Sequence, residues 1–390
     1  MKIAIMSRWN ATCGVSLHAE LIGRKLISLG HSVIVYAPTL DTANRDWHHR
    51  YIDVSDERWV HRVYGETEEY MYPHGGWINT NAILDDDYDA FIVEGYARFP
   101  IKVFKKISSK IKRKAPLILV LHTSNIRDTE PFMSIDWDAI VVFDRRYIDE
   151  ILTTYGSHIV KKAIEIPYPH AIIDAKPYRP KFAEDKILFF TFGRQPVYEY
   201  LDYVYALRSL SRKYDLIYWI IRSDGKLPFS DEWMVQWQKR MNTLTLHRYL
   251  RGSDIHLLPK GDTSFVVVSS TICQTLYSGT PTIVPNTRHF ELLPVNSNGI
   301  GPIVKYRRAG DIGDLVSKIV TLIEDEDLRL KVSEDARRYA LKYSDESIAR
   351  TFLDLIESLI SVRMLEAQYI LPLSSSPRSS LKDIKPTPTI

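Results

Sequence analysis

Ser269, Ser270 and Thr271 stand in a row just before a helix-forming run that begins near Ile272. The first N–H groups of a helix have no partner within it and attract anions. An N-cap needs one hydroxyl, so three suggest an anion cradle, with a plain cap as the simpler alternative. Gln274, one turn on, carries an amide that can both donate to and accept from a diol. Gly193 and Arg194 close the apolar run ILFFTFGR, and a guanidinium fixed at a strand end offers bidentate hydrogen bonds to phosphate. Arg222, in IIRSDG, is a second cation in a similar place. His122 ends LILVL, where a strand would deliver it to a ligand or where it would serve structure alone. Gly14 follows the first apolar run through a loop; a backbone without Cβ admits a ligand closely, or simply turns. Glu291, in RHFELL, is suited to binding hydroxyls or to capping its own helix.

The elements that must position these residues alternate along the chain. KIAIMS (2–7), HSVIVYAP (31–38), YDAFIVEG (88–95), PLILVLH (116–122) and DAIVVFD (138–144) are short runs with apolar cores, and KKAIEIPYPH (161–170) closes this half. Such cores suit strands of a parallel sheet buried on both faces. Between the first two, apolar residues recur at helical spacing from Val15 to Leu29, and Gly30 stops the helix. DAKPYRPKFAEDK (174–186), rich in proline and charge, reads as a linker. A second series follows with strands at 187–194, 215–225, 254–260, 264–270 and 281–285, then helices at about 310–324, 326–343 and 345–368. The predicted fold class is α/β: two Rossmann-like doubly wound domains. The divisions are 1–175, a linker at 176–186, a second domain at 187–344, a last helix at 345–368, and a disordered tail at 369–390. Ligands of such folds sit at the carboxyl ends of the strands, and between two domains the cleft is the default site.

Composition excludes several classes. Hydrophobic residues make up 45% and charged residues 25%, the balance of a globular protein. The net charge of +3 is too small to point to nucleic acid. Cys13 and Cys273 are far apart, without metal-ligand spacing, which fits a reducing, cytoplasmic setting without disulfides or zinc. No run is long and apolar enough to cross a membrane, and the amino terminus does not read as a signal peptide. CGVSLHAE is not G-x-G-x-x-G, so the dinucleotide fingerprint is absent. The acidic run 85–87 reads as a solvated turn, and no metal is expected. KVFKKISSKIKRKAP holds seven basic residues with Val103, Phe104, Ile107 and Ile111 interleaved. Its 102–114 stretch either packs one face on the sheet or lies on an anionic membrane surface.

Over roughly 1–360 the sequence resembles the GT-B glycosyltransferases of family four, the retaining nucleotide-sugar enzymes. The resemblance rests on GVSLHAELIGRKLISLGHSVIVYAP, LVLHTSN, FFTFGRQP and QTLYSGTPTIVPNTRHFE. It implies two domains facing a central cleft and transfer of a hexose from a nucleoside-diphosphate sugar, a co-substrate, to a glycan or lipid-linked acceptor, without cofactor or metal. His122 would contact the transferred sugar and Arg194 the diphosphate, with Gly14, Gly193, Arg222, Ser269, Ser270, Thr271, Gln274 and Glu291 around the donor. No enzyme nucleophile is implied: the acceptor attacks from the face the nucleotide leaves, and the leaving diphosphate helps take its proton. Three positions depart from the family pattern. Val266 and Gln274 stand where two glutamates are usual, and Glu199 stands where a lysine is usual, leaving Arg222 or Lys260 to supply a cation. Two alternatives stand beside this reading. A nucleotide-sugar 2-epimerase of this fold would need carboxylates converging on the sugar, and the thinned glutamates count against it. A non-catalytic sugar-nucleotide or glycan-binding relative is the other, which the departures suit.

Overall fold

A computed structural model describes residues 1–43 and 55–370, without the side chains of 367–370. Two parallel sheets follow one another along the chain, which is the doubly wound α/β architecture expected. The first holds β1 (Lys2–Met6), β2 (Ser32–Pro38), β3 (Val60–Gly65), β4 (Trp77–Ile78), β5 (Ala90–Gly95), β6 (Leu117–Leu121), β7 (Ala139–Val142) and β8 (Ala163–Glu165). Their order is β4-β3-β2-β1-β5-β6-β7-β8, and only the β3–β4 pairing is antiparallel. Every residue of β5, β6 and β7 is buried, as runs with helices on both faces should be.

The second sheet holds β9 (Ile187–Gly193), β10 (Leu216–Arg222), β11 (Met234–Gln238), β12 (Ile255–Leu257), β13 (Thr282–Pro285) and β14 (Val304–Tyr306), in the order β11-β10-β9-β12-β13-β14. In both sheets the strand order turns back beside the first strand, between β1 and β5 and between β9 and β12. The crevice at such a switch point is where a doubly wound sheet takes its ligand.

The helix Gly14–Ser28 leaves β1 and buries Ala19, Ile22 and Leu26, while Gly30, at φ +90°, ends the turn after it. The last helix, Asp345–Ile370, packs on it, placing Phe352 against His18 at 5.9 Å between ring centroids. Lys25 and Asp345 join the same two helices at 3.7 Å. This helix runs two residues past its expected end, and the expected tail, from residue 371, lies outside the described residues.

One expected strand is absent. The apolar stretch 264–270 joins neither sheet; β12 pairs with β13 instead. Val266 is buried, but its N–H donates to Ser124 O of the first domain at 3.1 Å, and Arg146 donates to Val267 O at 2.9 Å. Val266 and Val268 of this run pack on the cluster that holds the first domain's core, a burial that period-two patterning cannot separate from a strand. Four strands that the sequence hid, β3, β4, β11 and β14, are short or carry polar residues such as His61, Arg62, Gln236 and Lys305.

Candidate functional site

The carboxyl ends of β1 and β9 face each other across a cavity of about 420 Å³. The first domain lines it with Thr12, Cys13, Leu17 and Glu20, the second with Gly193, Arg194, Glu199, Lys260, Ser270, Thr271 and Gln274. That volume suits a drug-sized ligand.

Arg194 spans the two domains. Its guanidinium donates to Thr12 O at 2.7 Å and to Thr12 Oγ1 at 3.4 Å. Burial pulls its pKa below the usual arginine value. Gly193 needs φ +125°, and a Cβ there would meet Gln195 Oε1 at 2.7 Å. Only glycine adopts that turn easily.

Arg222 does not line the cavity. It is buried, donates to Gly225 O at 2.8 Å and Gln195 O at 3.1 Å, and lies over the Tyr200 ring at 5.4 Å. Its visible work is to tie the loop after β9 to the loop after β10.

The three hydroxyls divide. Ser269 is buried as the N-cap of the helix Ser270–Thr275, its Oγ accepting from Ile272 N at 3.4 Å. Ser270 and Thr271 line the cavity, as does Gln274 one turn later. Gly14 sits behind Ser270: a Cβ on it would lie 3.0 Å from Ser270 Oγ, and its carbonyl accepts from Tyr168 Oη at 2.6 Å. Its missing side chain lets the starts of two helices, one from each domain, abut.

Glu291 faces Arg146 at 2.5 Å, and Arg146 also pairs with Asp144 at 2.7 Å. These partners, with Arg288 paired to Glu150, form a polar strut between the domains. Glu291 is absent from the cavity wall.

His122 lies at the end of β6, behind the cavity wall, with 8% of its side chain exposed. Its Nε2 lies 2.5 Å from Glu94 Oε2, and His18 Nδ1 lies 2.9 Å from Glu94 Oε1. The His122 ring packs on Phe143 at 4.9 Å and on His18 at 5.3 Å. Burial alone would raise the Glu94 pKa, but the two imidazoles outweigh it and hold it at about 2. Burial lowers the pKa of His122. Among the described residues these three form the one group whose ligand atoms, within 4.8 Å of one another, have metal-binding types. Here the same atoms meet as hydrogen-bond partners.

The cavity is electropositive. Arg194, Lys239, Arg240 and Lys260 line it against two acids, Glu20 and Glu199. Glu20 is committed to Ser16 Oγ at 2.6 Å, Asn10 N at 3.0 Å and Arg24 at 2.8 Å. A cavity of this kind attracts an anion and can fix it through charge-assisted hydrogen bonds.

Sequence reasoning missed Glu94, His18, Thr12, Lys239 and Arg240. Glu94 was accessible to it, since it is a charge at the end of an apolar strand, as His122 is. His18 lies on the buried face of its helix, four residues before Ile22. Lys239 and Arg240 follow β11, a strand the pattern did not reveal.

No family model matches the chain. Solved structures do resemble it. Anabaena HepE in complex with UDP and glucose superposes with a TM-score of 0.63 at 12% identity, over 92% of this chain and 100% of that one. Sucrose-phosphate synthase from Thermosynechococcus elongatus gives 0.62 at 12% identity over 94% and 100%. The catalytic domain of Arabidopsis thaliana starch synthase IV, bound to ADP and acarbose, gives 0.61 at 11% identity over 92% and 99%. The chain therefore has the GT-B fold, the architecture the sequence resemblance implied.

Proposed function

We propose that this protein is a glycosyltransferase that moves a hexose, with retention and without a metal, from a nucleoside-diphosphate sugar to a glycan or lipid-linked acceptor. The observation that carries the reading is the cavity between the two switch points, walled by Arg194, Lys239, Arg240 and Lys260 and by the hydroxyls of Ser270 and Thr271. A diphosphate carries concentrated negative charge, and its departure builds more. Cations held in place before the reaction stabilise that charge without having to reorganise. Gln274, on the same wall, supplies an amide for the donor's hydroxyls. The neighbours bound to UDP and glucose or to ADP and acarbose support this class of ligand.

In this reading Arg194 neutralises the leaving diphosphate while holding the second domain to Thr12. His122 takes the transferred sugar's side of the cleft, its ring fixed by Glu94. Because His122 uses Nε2 toward Glu94, Nδ1 is the ring nitrogen not engaged by that carboxylate. The tautomer follows from the carboxylate, which accepts from both imidazoles.

The helix Ile101–Lys114 bears on the acceptor. Ile101, Phe104, Ile107 and Ile111 are buried in the domain, so they are not free to enter a bilayer. The outer face shows Lys102, Lys105, Lys106, Lys110 and Arg113. Such a face offers electrostatic adsorption to anionic lipid, worth about 1 kcal/mol per cation near the surface. No helix of the described residues is long and apolar enough to cross a membrane.

The test is a thermal-shift panel with UDP, GDP, ADP, CMP and their common sugar conjugates. A ligand that binds only the folded state raises Tm by mass action. A selective shift with one nucleotide sugar identifies the donor and directs an acceptor screen, with the anomeric configuration of the product deciding retention. No shift with any of them would defeat the reading. A shift without turnover toward any acceptor would favour the binding relative, which the missing carboxylates at Val266 and Gln274 also suit.

A further inference from the structure

Two charged side chains of the cavity lack the partners that charged groups in such a position normally have. Glu199 Oε2 is buried and accepts no hydrogen bond. A buried carboxylate oxygen without a donor costs free energy and calls for an explanation. Its other oxygen packs against Gly261, where a Cβ would come within 2.8 Å of it. Lys260 lines the same cavity and makes no ion pair among the described residues. Burial lowers its pKa, while Glu199 raises it and Arg194 lowers it further. The two groups line one cavity, and Glu199 packs against the residue that follows Lys260, yet they do not join. Gly261, adjacent to Lys260 in the chain, gives the carboxylate the room to lie where it does.

An acid and a base held apart in one cavity fit a ligand that carries both complementary groups. We infer that Glu199 and Lys260 form a paired recognition element, Lys260 binding the anionic end of the ligand and Glu199 accepting from one of its hydroxyls. This rests on the reading of the cavity as a nucleotide-sugar site and goes further by assigning two residues and their division of labour. The hydroxyl has two possible sources in such a ligand, the ribose and the hexose. Either supplies the donor that Glu199 Oε2 lacks. Arg194, already bonded to Thr12, serves as the fixed cation, and Lys260, on a flexible stem, is the one that moves onto the anion.

The element makes a prediction that a structural role does not. An orphaned charge that waits for a ligand destabilises the free protein. Glu199→Leu, which removes the charge and the acceptor, should raise the Tm of the ligand-free protein, and the near-isosteric Glu199→Gln should raise it less. A stabilising role for the carboxylate would lower Tm in both.

Binding is then measured calorimetrically with UDP, GDP and ADP, their monophosphates and their glucose conjugates. Lys260→Ala should weaken the best diphosphate at least about tenfold and its monophosphate much less. Glu199→Leu should weaken the glucose conjugate about tenfold. If the plain diphosphate weakens equally, the hydroxyl is the ribose; if it does not, the hydroxyl belongs to the hexose.

A fall in ligand-free Tm for Glu199→Leu overturns the inference. So does wild-type binding that neither variant alters, and in that case the nucleotide-sugar reading stands. If the wild type binds none of these probes, the reading itself has failed and the inference falls with it.

Discussion

The two domains that meet at the cleft place their acids on opposite plans. Behind the first domain's wall two buried carboxylates are fully partnered. Glu94 takes two imidazoles, and Glu66 takes Arg8 at 2.5 and 3.0 Å and Tyr96 at 2.7 Å. Arg8 also lies over the Tyr96 ring at 4.1 Å. On the second domain Glu199 and Lys260 remain unjoined, and Ser270, Thr271 and Gln274 present side chains to the cavity. Satisfied networks are rigid, and breaking one leaves a buried charge behind. Groups left open are worth less to the fold and more to a ligand. The difference teaches where to look for each property: stability and ring orientation in the first domain's interior, affinity on the second domain's wall.

Arg194→Ala should break this contrast most severely, because Arg194 belongs to both walls. Turnover should fall on the order of 100-fold or more, the usual loss when a charge-stabilising donor is removed. Steady-state kinetics checks it, and Arg194→Lys, which keeps a cation without the fork, should recover part of the loss.

Glu94→Gln should cost stability, about 3 kcal/mol in chemical denaturation, since one buried partner of two imidazoles loses its charge. The pH dependence follows from the shifts. Glu94 is held at about 2, below its ordinary value of 4.5, so its contribution is full above 4.5 and is lost as pH falls toward 2. Burial also lowers His170 and His256 to about 3 and His247 and His289 to about 4. These must be neutral in the fold, so their contribution is full above about 6.5 and is lost as pH falls toward 4 and 3. Denaturation midpoints should therefore drop steadily below pH 6.5. Glu94→Gln should flatten only the part below 4.5, and a midpoint independent of pH between 6.5 and 4 would contradict the histidine assignment.

Gly279→Ala comes next, at about 1–2 kcal/mol by thermal denaturation. Gly279 sits at φ +75°, and a Cβ there would meet Arg337 Nε at 2.4 Å. Donor affinity should change little, because Gly279 ends the turn behind Gln274 and is not part of the cavity wall.

Ser269→Ala should have the smallest effect, about 1 kcal/mol or less, as for the loss of a long N-cap bond. Ser270→Ala should leave stability nearly unchanged and weaken the nucleotide instead. A reversal of those two outcomes in parallel melting and titration experiments would exchange the roles given to the neighbouring hydroxyls.

How much was legible depended on the kind of signal. Runs such as AFIVEG and LILVL declare buried parallel strands, because no other environment accepts so many apolar residues in so few positions. Those strands and the helices between them determined the two doubly wound sheets, and with them the strand ends where His122 and Gly193–Arg194 had to lie. That Val266, Gln274 and Glu199 depart from a pattern came only from the resemblance to a known family.

Only the tertiary structure decided which polar groups meet. Glu94 and His122 lie 28 residues apart and Arg194 and Thr12 lie 182 apart. Nothing in local periodicity encodes such distances. Arg222, expected as a ligand cation, here ties two loops, and Glu291, expected at the donor or as a cap, here pairs with Arg146 of the other domain. Glu199, which looked like a lost cation, lies beside Lys260 from a different strand end. Local pattern governs which face of an element is buried, whereas the pairing of charges depends on how separate elements are brought together, and that is set by the packing of the whole chain.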